Sequence, residues 1–183
     1  MASVLIPLAQ SCEELEAVTI IDLLRRANIE VTTAGLDDQP VRASRGVVLI
    51  PDTTLDKALD NEYTMVVLPG GLPGADYLNQ DMRIRNLLIK MNDLGKPIAA
   101  ICAAPKIFAN AGLLEGKTAT AYPGTLEKLN ISNTKISTDA IIQDGNIITS
   151  RGPGTAMDFA LYLIEQLVGV EKRNEVEKGL VRP

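Results

Sequence analysis

Two four-residue runs, Met65-Val66-Val67-Leu68 and Ile98-Ala99-Ala100-Ile101, are apolar at every position. A strand with one face in water alternates polar and apolar residues, so uniform runs of this length belong to strands covered on both faces. Breaking or small residues follow each run, Pro69-Gly70-Gly71 after the first and Cys102-Ala103-Ala104-Pro105 after the second. Between them Asp81 to Leu94 has the period of an amphipathic helix. Strand, helix and strand in that order need a crossover, which implies a mostly parallel sheet with helices on both faces.

The remaining segments fit that frame. Val4–Leu8, a helix over about Cys12–Ala27 and Ile29–Ala34 make a βαβ opening. Ser11 and Glu14 have the spacing of a capping box, which predicts a helix starting directly after the first loop. Val41–Ala43 and Gly46–Ile50 read as a short antiparallel excursion. A short helix around Pro105–Ala111 and a strand over Thr118–Tyr122 precede a hairpin, Ala140–Ile142 and Ile147–Ser150, turning at Gln143-Asp144-Gly145-Asn146. Gly152-Pro153-Gly154 leads into a helix over Ala156–Val168 that ends at Gly169, and a last helix spans about Glu171–Lys178. With 183 residues and no repeats or linkers, one domain over 1–183 is expected.

In such sheets ligands bind beyond the carboxyl ends of the strands. The loops after Leu8, Leu68 and Ile101 are therefore the candidates for a site. If the strands Val4–Leu8 and Ile98–Ile101 are neighbours, their loops meet in one crevice.

Composition removes several chemistries. The chain contains no histidine, so neither a Ser-His-Asp nor a Cys-His relay can be assembled, even between identical copies. Two cysteines, Cys12 and Cys102, are too few for a disulfide framework or an all-thiolate zinc site. Neither a metal nor a cofactor is expected. A net charge of −5 gives no positive field for general nucleic-acid binding. The apolar opening reads as a first strand rather than an export signal, and no run is long enough to span a membrane, so a cytoplasmic location is expected.

Cys102 stands where a strand gives way to a helix, with small residues on both sides and Pro105 near the first helical turn. That is the pattern of a nucleophile elbow, and the helix end would favour a thiolate; a small buried hydrophobe is the alternative. Glu13, Glu14 and Glu16 could simply favour the start of a helix. Were Glu16 beside the cysteine, the two would share a proton, because adjacent anions in a dry site are costly. Gly70-Gly71 can present an amide to an oxyanion or merely turn the chain. Pro153, in a tight turn before a helix, is structural by default and a candidate for lining the same crevice. Cys12 reads as an ordinary helix residue rather than a redox partner.

Glu13-Glu14-Leu15-Glu16, Leu68-Pro69-Gly70-Gly71, Ala99 to Pro105 and Ser150-Arg151-Gly152-Pro153-Gly154-Thr155, in that order, resemble the ThiJ/PfpI superfamily, and within it the parkinsonism-associated deglycase branch. The resemblance spans essentially the whole chain. It implies a flavodoxin-like three-layer sandwich, a homodimer, Cys102 as nucleophile and oxidation site, and Glu16 as its protonated partner. Amides at Gly71 and Ala103 would form an oxyanion pocket, and Arg45 or Arg26 match an arginine that a partner subunit brings near it. Tyr122 stands where many relatives carry histidine, and Ala103 where the protease-like branches do, so peptidase activity is not expected. The implied function is cofactor-free chemistry on glyoxal, methylglyoxal or their early thiol and amine adducts. The alternative it implies is an oxidative-stress sensor or redox-regulated chaperone, acting on client proteins through oxidation of Cys102.

Overall fold

The structure, a computed structural model, describes residues 2–182. In chain order the elements are β1 (Ser3–Leu8), α1 (Glu14–Arg26), β2 (Glu30–Gly35), β3 (Val41–Arg42), β4 (Val48–Leu49), β5 (Thr53–Thr54) and α2 (Leu55–Ala58). Then come β6 (Met65–Leu68), α3 (Gly74–Gln80), α4 (Met82–Asp93), β7 (Ile98–Ile101), α5 (Pro105–Asn110), β8 (Thr118–Ala119) and β9 (Lys135–Ile136). The chain closes with β10 (Ile141–Asp144), β11 (Ile147–Ser150), a 3-10 turn at Pro153–Thr155, α6 (Ala156–Val168) and α7 (Val170–Gly179).

Seven strands form the main sheet in the order β10-β11-β7-β6-β1-β2-β5, parallel throughout except for the edge strand β10. Leaving aside the two edge strands, this is the 2-1-3-4-5 order of flavodoxin-like sheets, whose winding reverses between β1 and β6. Alternation along the strands divides the apolar core into two layers. Val4, Ile6, Val67, Ala99 and Ile101 face α1 and α6, which supply Ile20, Leu24, Phe159 and Leu163. Leu5, Val66, Leu68, Ile98 and Ala100 face the other way, onto Ile84 and Leu88 of α4 and Phe108 of α5. Both faces of β6 and β7 are thus sealed, which is why those segments carry no polar residue.

Several expectations need correction. The strands β1 and β7 are not neighbours, because β6 lies between them. The Ser11–Glu14 capping box does not form: Ser11 takes a left-handed conformation (φ 62°) and α1 starts at Glu14, with Glu13 at the cap position, its side chain accepting from the Ser44 hydroxyl (2.9 Å) rather than from the helix. Ser11 instead donates its amide to the Arg42 carbonyl (2.8 Å), so tertiary contact with β3 overrides the local motif. The expected strand Thr118–Tyr122 stops at Ala119; Thr120 gives its amide to the Thr149 hydroxyl and Tyr122 gives its own to the Cys102 carbonyl. The short elements β5, α2, α3 and β9 carry too little periodicity to be seen in sequence.

Among the described residues, no helix is long and apolar enough to cross a membrane. Phe159, fully buried in α6, anchors the layer that holds α1 on the sheet. Phe159→Ala is expected to lower unfolding stability by roughly 3–5 kcal/mol in urea denaturation.

Candidate active site

Three loops converge where the winding of the sheet reverses. The turn after β1 leads into α1 and Glu16, the turn after β6 holds Gly70-Gly71, and the turn after β7 holds Cys102. Glu16 lies on the buried stripe of α1 with Ala17, Ile20, Leu23 and Leu24, so a carboxyl occupies a core position with no solvent exposure.

Cys102 adopts φ 62°, a left-handed conformation that costs a residue with a side chain about 1–2 kcal/mol. Its amide donates to the Ser150 carbonyl of β11 (2.9 Å) and its carbonyl accepts from the Tyr122 amide (2.8 Å), so backbone bonds on both sides hold the turn. The left-handed step breaks the alternation of β7. Cys102 therefore packs in the same layer as Ile101, on the α1 side of the sheet, with only 8% of its surface exposed.

Gly70 sits between the two reactive groups. A Cβ on it would lie 2.7 Å from Cys102 Cβ and 2.8 Å from Glu16 Oε2, so the absence of a side chain lets the thiol and the carboxyl approach across the end of β6. The Gly70 amide donates to Glu16 Oε2 (2.8 Å), while its carbonyl accepts from the Glu13 amide (2.9 Å). Glu16 Oε1 is buried and has no hydrogen-bond partner.

Burial pushes the Glu16 carboxyl up to about 7, against the opposing pull of the Gly70 amide and Cys102. Burial, then the charge of an ionised Glu16 and its hydrogen bond, push the Cys102 thiol up; the amides of Gly71 and Ala103 act in the other direction. This corrects the expectation that a helix end by itself makes the thiolate easy to form. The helix beyond the elbow, α5, has only six residues, and burial outweighs it. With Glu16 protonated, the repulsion disappears and the two amides remain. Above about pH 7 the pair therefore holds one proton and carries one negative charge, on one group or the other, and below it both groups are protonated.

The other candidates fall at varied distances from this centre. Gly71 (φ 91°) packs against the Glu13 amide with no room for a Cβ, Ala103 follows the elbow, and the amides of both border the sulfur as hydrogen-bond donors. Tyr122 is tied to the elbow through its amide, and its ring lies over Gly152, beside Pro153. Arg45 gives its amide to Glu14 Oε1 (2.8 Å) near the start of α1, with an exposed guanidinium on the Ser44 carbonyl (3.4 Å). Arg26 is at the far end of α1, almost three turns and roughly 15 Å along the axis from Glu16, and is paired with Asp22 (2.7 Å). Within one chain, Arg26 is therefore remote from Cys102.

Cys12 is fully buried, unbonded to Cys102, and its thiol is pushed up to about 12 by burial and the neighbouring glutamates. Sequence reasoning did not find the Ser150 carbonyl or the Glu13 amide, since backbone partners leave no side-chain signal. A separate cavity of about 330 Å³, lined by Leu8, Gln10, Leu36, Asp37, Val41 and Tyr77, includes neither Cys102 nor Glu16.

Linkage gives a test of the buried carboxyl. An unfolded glutamate ionises near about 4.3. Between that pH and about 7 the folded chain keeps a proton that the unfolded chain has lost. This stabilisation is full below the unfolded value and declines as pH rises through 7, by up to ~1.4 kcal/mol per pH unit. Urea midpoints measured from pH 4.5 to 8 should show the decline in the wild type and a flatter profile in Glu16→Gln. Equal profiles would remove the buried acid from the account.

The family model described as DJ-1/PfpI matches residues 2–166. Protein dj-1beta of Drosophila melanogaster is 43% identical over 180 residues, covering 98% of this chain and 96% of that protein. Its crystal structure superposes with a TM-score of 0.94, covering 100% of this chain and 98% of that one. The Caenorhabditis elegans protein named glutathione-independent glyoxalase DJR-1.2 is 32% identical, covering 98% of this chain and 95% of its own. Toxoplasma gondii DJ-1, solved in an oxidized form, matches with a TM-score of 0.92 at 36% identity over 99% of this chain and 98% of its own.

Proposed function

The chain belongs to the DJ-1/PfpI family, and from that premise we propose that it converts glyoxal, methylglyoxal or their early adducts to hydroxy acids through covalent addition of Cys102. The observation that carries this reading is the buried, unpartnered Glu16 oxygen beside a strained cysteine. A carboxyl poised near neutrality can take a proton and return it within one turnover, the requirement for general acid–base work at physiological pH. The name of the C. elegans relative supports the same chemistry.

With methylglyoxal, the Cys102 sulfur adds to the aldehyde carbon as the thiol proton passes to Glu16. The new alkoxide develops within reach of the Gly71 and Ala103 amides and takes that proton back from Glu16, leaving Glu16 a carboxylate. Glu16, as carboxylate, removes the hydrogen on the former aldehyde carbon as a proton, and the adjacent ketone carbon is protonated through an enediol. The product is a thioester of lactate, which water cleaves to lactate and free thiol. One aldehyde and one water become one hydroxy acid, with no external oxidant or reductant. Cys102→Ser is expected to lose lactate formation, and Glu16→Gln to lose about 10²-fold or more. Equal lactate production by wild type and Cys102→Ser would end this reading.

A second reading draws on the same oxygen. A protonated Glu16 and two amides suit a sulfinate on Cys102 as well as a reaction alkoxide, so oxidation by peroxide would make the protein a redox sensor. Mass spectrometry of the Cys102 peptide after mild peroxide, beside steady-state lactate formation, separates the two.

The reading extends to a homodimer. Leu15 and Val18 of α1 and Val47, Val48 and Ile50 around β4 are apolar and each between 45% and 83% exposed, and Val18 and Ile50 line one groove. A second copy covering this face would bring its own Arg45 or Arg26 as the candidate arginine from the partner subunit. Val48→Glu is expected to shift the protein from dimer to monomer in light scattering; a wild-type monomer would dismiss the dimer.

A further inference from the structure

The two amides that border the sulfur belong to separate loops, and each loop runs directly into a short helix. Gly71 precedes α3 and Ala103 precedes α5. Side chains join these helices at two levels. Lys106, in the first turn of α5, pairs with Asp76 of α3, and the Asn110 side-chain amide donates to Asn79 Oδ1 (3.0 Å) at the next level. On its other side the Gly70-Gly71 loop is fixed to α1 by the Glu13 amide on the Gly70 carbonyl, and the Ala75 amide closes on the Gly71 carbonyl (2.8 Å). The elbow is held independently, by β11 through Ser150. β6 and β7 pair as far as Leu68 and Ala100, and beyond that pairing no backbone hydrogen bond among the described residues links the Gly71 loop to the Ala103 loop. The side-chain ladder between α3 and α5 does.

We infer that Asp76–Lys106 and Asn79–Asn110 are positioning pairs that fix the separation of the Gly71 and Ala103 amides around Cys102. The inference rests on Cys102 being the reacting group. Both amides must aim at one atom to stabilise charge there, and a displacement of a fraction of an ångström weakens that stabilisation steeply. Lys106 is suited to the role: its side chain is 17% exposed, so screening is reduced, and it is adjacent to Pro105, whose fixed φ starts α5. Asp76 is 44% exposed, and its replacement leaves the core intact.

Iodoacetamide labelling of the Cys102 peptide, followed by mass spectrometry across pH, reads thiol ionisation without requiring turnover and separates Cys102 from Cys12. If the ladder positions the amides, Asp76→Ala loosens them, and the labelling midpoint rises by about half a pH unit, roughly threefold slower labelling below the midpoint. Direct electrostatics predicts the opposite sign, because Asp76→Ala removes a negative charge and leaves Lys106 free to favour the thiolate. Asn110→Ala, which changes no charge, moves the midpoint upward by a smaller amount, and Asp76→Glu restores the wild-type value. An unchanged or lowered midpoint in Asp76→Ala, or no response in Asn110→Ala, overturns the inference, whether or not the melting temperature falls. Absence of lactate formation by the wild type would instead strike the proposed activity and leave this result standing.

Discussion

One proton shared by two groups in a dry space is the constraint around which this molecule is arranged. Cys102 and Glu16 are both buried, and two anions so close would repel strongly at low dielectric. Every nearby feature serves to let them approach while only one is charged. Gly70 leaves room between them and donates to one carboxyl oxygen, the amides of Gly71 and Ala103 border the sulfur, and the other carboxyl oxygen is left without a partner. A fully satisfied carboxylate would be a poor proton carrier. The unpartnered oxygen keeps this one in play.

The sheet explains how residues so far apart in sequence meet. Glu16 follows β1, Gly70 follows β6 and Cys102 follows β7, three successive strands at the place where the winding reverses. At that point helices leave on opposite faces, and the gap between their starting turns is open. Here α1 departs on one side while α3 and α5 depart on the other. The chemistry therefore uses a gap that the topology creates, and the glycine on the middle strand controls its width.

Much of this was legible in the residues. The uniform runs at Met65–Leu68 and Ile98–Ile101 betrayed strands sealed on both faces, and the small neighbours of Cys102 marked the elbow. Glu16 was harder to read. It shares the spacing of Ile20, Leu23 and Leu24, a core stripe, but Glu13 and Glu14 nearby make it look like one member of a solvated cluster. Strand order did not follow from pattern, because alternation says which faces are covered and not which strands adjoin; hence the expectation that β1 and β7 touch. The sequence ties the ionisation of Cys102 to its helix end and to a proton shared with Glu16, whereas burial, a product of tertiary packing, is the largest influence on it. The capping box at Ser11 failed for a similar reason: its amide had a better partner in β3.

The left-handed backbone at Cys102 carries an implication for how such a chain drifts. Glycine is the residue that this turn would accept without strain, and any other side chain leaves the fold slightly less stable than it could be. A lineage freed from the need for a sulfur at this point could relieve that strain by exchanging it for glycine, giving up the packing of one small buried side chain, and a copy of this fold bearing that exchange would have become a scaffold.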